Sequence, residues 1–141
     1  MNEENLAESF WAVARRLRLR TRTALEPWDV SPSLGRALSA LSRHGDLRLS
    51  ALAEHLHIVP RSATEVVDDL ERFGLAERRP DPADRRATLV ALTPAGAKTS
   101  RDIQQARQAE GERFFAALDA TDREDLTRIL RKLRDDPGPC H

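Results

Sequence analysis

The chain has 141 residues, the size of one ordinary domain, with 40% apolar and 33% charged side chains. Four Phe, two Trp and no Tyr leave a core that must be mostly aliphatic. The 23 basic and 23 acidic side chains cancel, which argues against indiscriminate polyanion binding but not against a local DNA-binding face, because placement sets the surface field.

Residues 3–25 are expected to form a helix, since Leu6, Phe10, Val13, Leu17, Thr21 and Leu25 recur at three- and four-residue steps and share one stripe. Arg15, Arg16, Arg18, Arg20 and Arg22 occupy much of its remaining surface. Pro27 stops this helix. Ser31-Pro32 then supplies a cap followed by proline at the first helical position, opening a helix with Leu34, Ala37, Leu38 and Leu41 inward and an end near His44-Gly45. Ser50 is expected to cap a short helix that buries Leu52, Ala53 and Leu56. After a break at His57-Ile58-Val59, Pro60 opens another, with Ala63, Val66, Val67, Leu70 and Phe73 inward and Gly74 as left-handed terminator. Two short helices with a break of about three residues match a helix-turn-helix.

The hydrophobic period changes over residues 75–93. Segments 75–79 and 87–92 are expected to pair as antiparallel strands, with Pro82 at the second position of a type I turn spanning Asp81-Pro82-Ala83-Asp84. Thr93-Pro94 caps a long helix reaching about Asp119, with Ile103, Ala106, Ala109, Phe114, Ala117 and Leu118 as intermittent apolar positions. Thr121 with Glu124 reads as a capping box for a last helix, lined on one face by Leu126, Ile129, Leu130 and Leu133. The fold class is therefore mainly α with a small antiparallel β-hairpin. Apolar stripes on both the first and the last helix exceed what so small a unit easily buries, so a second copy is expected to cover them.

The second helix of the pair shows Arg61, Ser62, Thr64, Glu65, Asp68 and Asp69 to solvent. Small hydrogen-bonding groups and one arginine in its first turn suit approach to base edges in the major groove. Asp68, Asp69 and Glu71 would repel phosphate, so the helix is expected to insert by its N-terminal end. The hairpin adds Arg78, Arg79, Arg85 and Arg86 among Glu77, Asp81 and Asp84. An arginine at its tip can enter the minor groove, where the potential is most negative. Asp84 is close enough in sequence to orient Arg86.

The strings Leu52-Ala53-Glu54-His55-Leu56, Pro60-Arg61-Ser62-Ala63-Thr64-Glu65-Val66-Val67-Asp68-Asp69-Leu70 and Asp84-Arg85-Arg86-Ala87-Thr88-Leu89-Val90-Ala91-Leu92-Thr93-Pro94-Ala95-Gly96 resemble those of the MarR (multiple-antibiotic-resistance regulator) family. The most specific part is Asp-x-Arg followed by Leu-Thr-x-x-Gly. The resemblance covers nearly the whole chain and implies a winged helix-turn-helix core at about 31–93. It also implies N- and C-terminal dimerisation helices at about 3–25 and 94–136, within a single domain 1–141. It implies a homodimer on double-stranded DNA, with Arg61, Ser62 and Thr64 in the major groove and Arg86, braced by Asp84, in the minor groove. It implies an effector pocket for a small aromatic or phenolic ligand, for which Phe10, Trp11, Arg15 and Trp28 are candidates by position. One departure is Val59-Pro60, where relatives often carry a serine or threonine cap. Proline removes a backbone N–H that could have held a phosphate.

The expected function is a sequence-specific, dimeric transcriptional repressor that binds a pseudo-palindromic promoter site and is released by a small ligand. Two alternatives stand beside it: a winged-helix module that binds only protein, and an architectural DNA binder indifferent to ligands. No enzymatic activity is expected, because the chain carries no nucleophile–base signature, Gly-rich phosphate loop or metal motif. His44, His55, His57 and His141 lack metal-ligand spacing. No cofactor is expected. Cys140, the single cysteine, excludes an internal disulfide framework and reads as an inert thiol. No apolar run approaches the roughly 20 residues that span a bilayer, and the acidic start lacks the order of a secretion signal. A cytoplasmic protein without a membrane partner is expected.

Overall fold

In the computed structural model, which describes residues 5–138, the chain runs α1 (Leu6–Ala24), a 3-10 turn (Glu26–Trp28), α2 (Pro32–His44), β1 (Leu47–Arg48) and α3 (Leu49–Leu56). It continues through α4 (Pro60–Arg72), β2 (Ala76–Asp81), β3 (Asp84–Leu92), α5 (Pro94–Phe115) and α6 (Ala120–Asp135). These elements gather into two compact units. One holds Arg22–Arg107; the other holds the described residues up to Thr21 and those from Gln108 onward.

In the Arg22–Arg107 unit the core is aliphatic, as the composition requires. Leu38 of α2, Leu52 of α3, Val67 and Leu70 of α4 and Val90 of β3 are fully buried, each contributing about 1.5–3 kcal/mol of transfer free energy. Ser31 caps α2 by accepting a hydrogen bond from the Leu34 N–H at 3.3 Å, with Pro32 next in the first turn. The turn between α3 and α4 rests on His57, whose φ of 55° places it in the left-handed region. Helix α4 ends in a Schellman arrangement: the Leu75 N–H donates to the Leu70 C=O at 2.9 Å and the Gly74 N–H to the Glu71 C=O at 3.0 Å, with Gly74 at φ 71°.

Four expectations are corrected here. The sheet has three strands in the order β1-β3-β2, not two, because Leu47 and Arg48 pair with Val90 and Leu89. That pairing holds residues 47–48 extended, so α3 starts directly afterwards at Leu49 and Ser50 lies inside its first turn instead of capping it. Phe73 is 57% exposed: it follows the last helical residue, where the backbone leaves the helical stripe. Strands β2 and β3 run closer to their turn than expected, with Asp81 opposite Asp84 and an irregularity at Pro80/Asp81. Proline is tolerated because β2 is an edge strand.

The junction after β3 is the tightest contact in this unit. The Thr93 N–H donates to the Leu75 C=O at 3.1 Å, and its hydroxyl donates to the Gly74 C=O at 2.6 Å while accepting from the Gly96 N–H at 3.0 Å. A Cβ on Gly96 would stand 1.8 Å from the Leu75 carbonyl oxygen. The Leu-Thr-x-x-Gly string is thus a weld between the exit of α4 and the start of α5.

In the other unit, Glu110 of α5 is buried and paired with Arg20 of α1 at 2.7 Å and with Arg113 at 2.7 Å. The Arg20 guanidinium also lies 5.5 Å from the centre of the Phe114 ring. Asp119, not Thr121, caps α6, accepting from the Asp122 N–H at 2.8 Å; Thr121 and Glu124 fall inside the helix. Neither α1 nor α6 buries a residue. Leu6, Phe10 and Val13 of α1 are half or more exposed, as is Leu133 of α6, while Ile129 and Leu130 are only slightly less so. Among the described residues no helix is long and apolar enough to cross a membrane.

Gly96→Ala is expected to destabilise the protein by roughly 2–3 kcal/mol, the upper part of the overpacking range, because the obstructing atom is backbone. Urea denaturation will show this as a lower midpoint with little change in slope.

Candidate DNA-binding face

Helix α4 begins without a side-chain cap at Val59, and Pro60 has no N–H to satisfy. Its first turn therefore turns the open N–H groups of Arg61 and Ser62 outward at the positive end of the helix dipole. The Arg61 side chain is exposed and has no ion pair among the described residues; Glu65, one turn on, is likewise exposed and has none there. Ser62 and Thr64 are half-buried. The Thr64 hydroxyl donates to the Pro60 carbonyl at 3.1 Å, which leaves its lone pairs as the groups available to an incoming donor.

The wing sorts its arginines into two classes. Arg78 is fully engaged, its guanidinium forking to Asp68 at 2.8 Å and to Glu71, both on α4. Arg79 pairs with Glu77 on its own strand. Arg85 and Arg86 are exposed and enter no ion pair among the described residues. As neighbours on β3 they point to opposite faces of the ribbon, so each face of the wing carries one free arginine near the tip. Asp84 does brace Arg86, but through the backbone: its Oδ1 accepts the Arg86 N–H at 3.0 Å.

Two residues that position this wing escaped the sequence reading. Asp81 is buried at the turn end of the wing, accepting the Ala83 N–H at 2.8 Å and pairing with Arg48 at 2.8 Å. The Ala83 N–H, and after it the Arg48 guanidinium, hold the Asp81 carboxyl below the usual carboxylate range despite the opposing effect of burial. Arg48 gave no signal because it sits in a two-residue strand with no pattern of its own, and Asp81 read as a turn residue.

The ligand candidates divide between the two units. Phe10 and Trp11 meet edge to face with ring centroids 6.0 Å apart, and Arg15 is exposed on the same helix. Trp28 belongs to the Arg22–Arg107 unit, where it is half-buried against the aliphatic core. His44 and His55 stack with centroids 4.0 Å apart, and no cluster of three or more potential metal ligands exists among the described residues. Cys140 and His141 lie outside the described residues.

Residues 30–88 match the model of the MarR family. A transcriptional regulatory protein for the hcr operon of Thauera aromatica is 33% identical over 114 residues, covering 81% of this chain and 68% of that one. The HTH-type transcriptional repressor MdtR of Bacillus subtilis is 26% identical over 125 residues, covering 89% and 81%. The solved structure of a MarR family protein from Bacillus stearothermophilus superposes with a TM-score of 0.83 at 26% identity, covering 96% of this chain and 97% of that one.

Asp81 and Glu110 both titrate below their ordinary values, Glu110 chiefly through Arg113 and then Arg20. A lowered folded-state pKa stabilises the fold above the unfolded carboxylate range near 4, and that contribution is lost as pH falls through the lowered values. The melting temperature is therefore expected to decline below about pH 4, and Asp81→Asn to flatten part of that decline in a pH series of thermal scans.

Proposed function

The chain belongs to the MarR family of DNA-binding transcriptional regulators, and from that premise we propose that it acts as a homodimeric repressor on a pseudo-palindromic promoter site. The observation that carries this reading is where three exposed arginines stand that have no ion pair among the described residues: Arg61 on the first turn of α4, and Arg85 and Arg86 near the tip of the wing. Each is free to form charge-assisted bonds to phosphate or base edges without first breaking a bond within the protein. Arg61, Ser62, Thr64 and Glu65 meet the major groove, and an arginine from the wing enters the adjacent minor groove. Asp84 holds the Arg86 backbone and so limits the arc that side chain sweeps. Arg79 stands further back on the ribbon, towards the flanking phosphates.

The dimer is supported by the exposed apolar positions on α1 and α6, above all Phe10, Leu130 and Leu133, which line a shared open groove. Helix faces of this composition need a partner to leave water. In this reading the winged core of about 31–93 reads DNA while the terminal helices join the two copies. Two-fold symmetry then matches half-sites about one helical turn apart, and occupancy of a promoter by the pair excludes polymerase. Release by a small aromatic or phenolic ligand is part of the proposal, with the exposed rings of Phe10 and Trp11 and the cation of Arg15 as its contacts. The relatives are regulators, not enzymes, and no catalytic role is proposed.

Arg86→Ala is expected to weaken operator binding by about 5- to 100-fold, the cost of one specific arginine contact, with helix content and dimerisation unchanged; a mobility-shift titration with circular dichroism checks it. Unchanged affinity would remove the minor-groove assignment. Leu130→Glu combined with Leu133→Glu is expected to leave a folded winged core but yield monomers in sedimentation velocity. DNA affinity should fall at least 100-fold, because the second half-site no longer binds as part of one molecule.

A further inference from the structure

Among the wing arginines, Arg78 alone is shared between two carboxylates of another element. Its strand register sets it opposite Val90, a fully buried residue, so Arg78 lies on the sheet face that looks toward the helices, while Arg79 alternates to the other face. From there its guanidinium reaches Asp68 at 2.8 Å and Glu71. Those two carboxylates stand three residues apart on α4 and share one face of it. Glu71 also lies in the last turn, where the helix dipole disfavours a negative charge. Left alone, the two acids would repel each other and any phosphate brought to the N-terminal half of the same helix. The Arg78 side chain is one-third exposed, and two of its guanidinium nitrogens are committed to these carboxylates.

We propose that Arg78 is a positioning residue that locks the wing to the recognition helix through Asp68 and Glu71, and does not itself contact DNA. The lock does two things at once. It fixes the angle between the ribbon bearing Arg85 and Arg86 and the helix bearing Arg61, so both grooves are met in one pose. It also neutralises carboxylates that would otherwise face the duplex. A fork across two acids needs a planar guanidinium; a lysine supplies one point charge and cannot span both. This rests on the DNA-binding reading above.

A double-mutant cycle tests it on the full-length protein, with a duplex selected from a random pool by the wild type. Arg78→Gln is expected to weaken binding roughly tenfold in the wild-type background, within the range of couplings in one ion-pair network. In the Asp68→Asn/Glu71→Gln background the same change is expected to cost less than about twofold, because its partners are already gone. The dependence of affinity on salt should keep its wild-type slope in Arg78→Gln, whereas loss of a phosphate contact lowers that slope by about one. Equal losses in both backgrounds, a shallower slope, or no loss at all from Arg78→Gln would each overturn the lock. If the wild type ignores every duplex at low salt, the DNA-binding reading fails on its own. The lock is then judged without DNA by amide exchange over residues 76–92, which should accelerate in Arg78→Gln if the lock exists and stay unchanged if it does not.

Discussion

The close approach of Gly96 to the Leu75 carbonyl is the constraint on which the placement of the wing against α4 depends. At that point the chain leaves α4, turns through Gly74 into the wing, returns along β3 and starts α5. Thr93 bonds to Leu75, Gly74 and Gly96 together, so both ends of the wing are tied to the same few atoms. No side chain fits between them, since even a methyl group would overlap the carbonyl oxygen. The wing is consequently a rigid extension of the helix-turn-helix at its root. At its turn end Asp81 ties it a second time, through Arg48 and the Ala83 N–H.

Electrostatics divides labour within a chain whose charges sum to zero. Arg20, Arg48, Arg78 and Arg113 hold the protein together, each against a named carboxylate. Arg61, Arg85 and Arg86, on one helix turn and one ribbon tip, have no ion pair among the described residues. Net charge is blind to this distinction, which is why a neutral protein can present a DNA-binding face. The buried acids Asp81 and Glu110 are partners of the first group, and the bonds they accept hold both carboxyls below their ordinary pKa range.

A different imbalance governs the terminal helices. Their apolar side chains are patterned like a buried face, yet α1 and α6 bury none of their residues within the single chain. Glu110, with Arg20 and Arg113, supplies a polar fixed point in that unit, and a groove lined by Phe10, Leu130 and Leu133 remains open to water. An unfilled face of this kind is a demand for a partner, and the proposed homodimer answers it with the copy that symmetry makes available.

Much of this protein was decided locally and so could be read from its residues. Ser31-Pro32 started α2, Gly74 ended α4, and the three- and four-residue steps of Leu34, Ala37, Leu38, Leu41, Ala63, Val66, Val67 and Leu70 picked out core positions that are all buried. The Leu-Thr-x-x-Gly and Asp-x-Arg strings marked the wing and the family before any contact was visible. What remained hidden involved partners distant in sequence or too short to carry a pattern. Strand β1 has two residues and exists because β3 offers it hydrogen bonds; its pairing displaced the expected cap at Ser50. Asp119 took the cap of α6 from Thr121 because the turn brought its carboxylate to the Asp122 N–H. Which arginines were spent on the fold and which stayed free was likewise set in three dimensions: Arg78 finds its acids seven and ten residues away, and Arg48 finds Asp81 across thirty-three. Periodicity and caps are short-range physics and are written along the chain, whereas ion pairing depends on which side chains folding brings within a few ångströms.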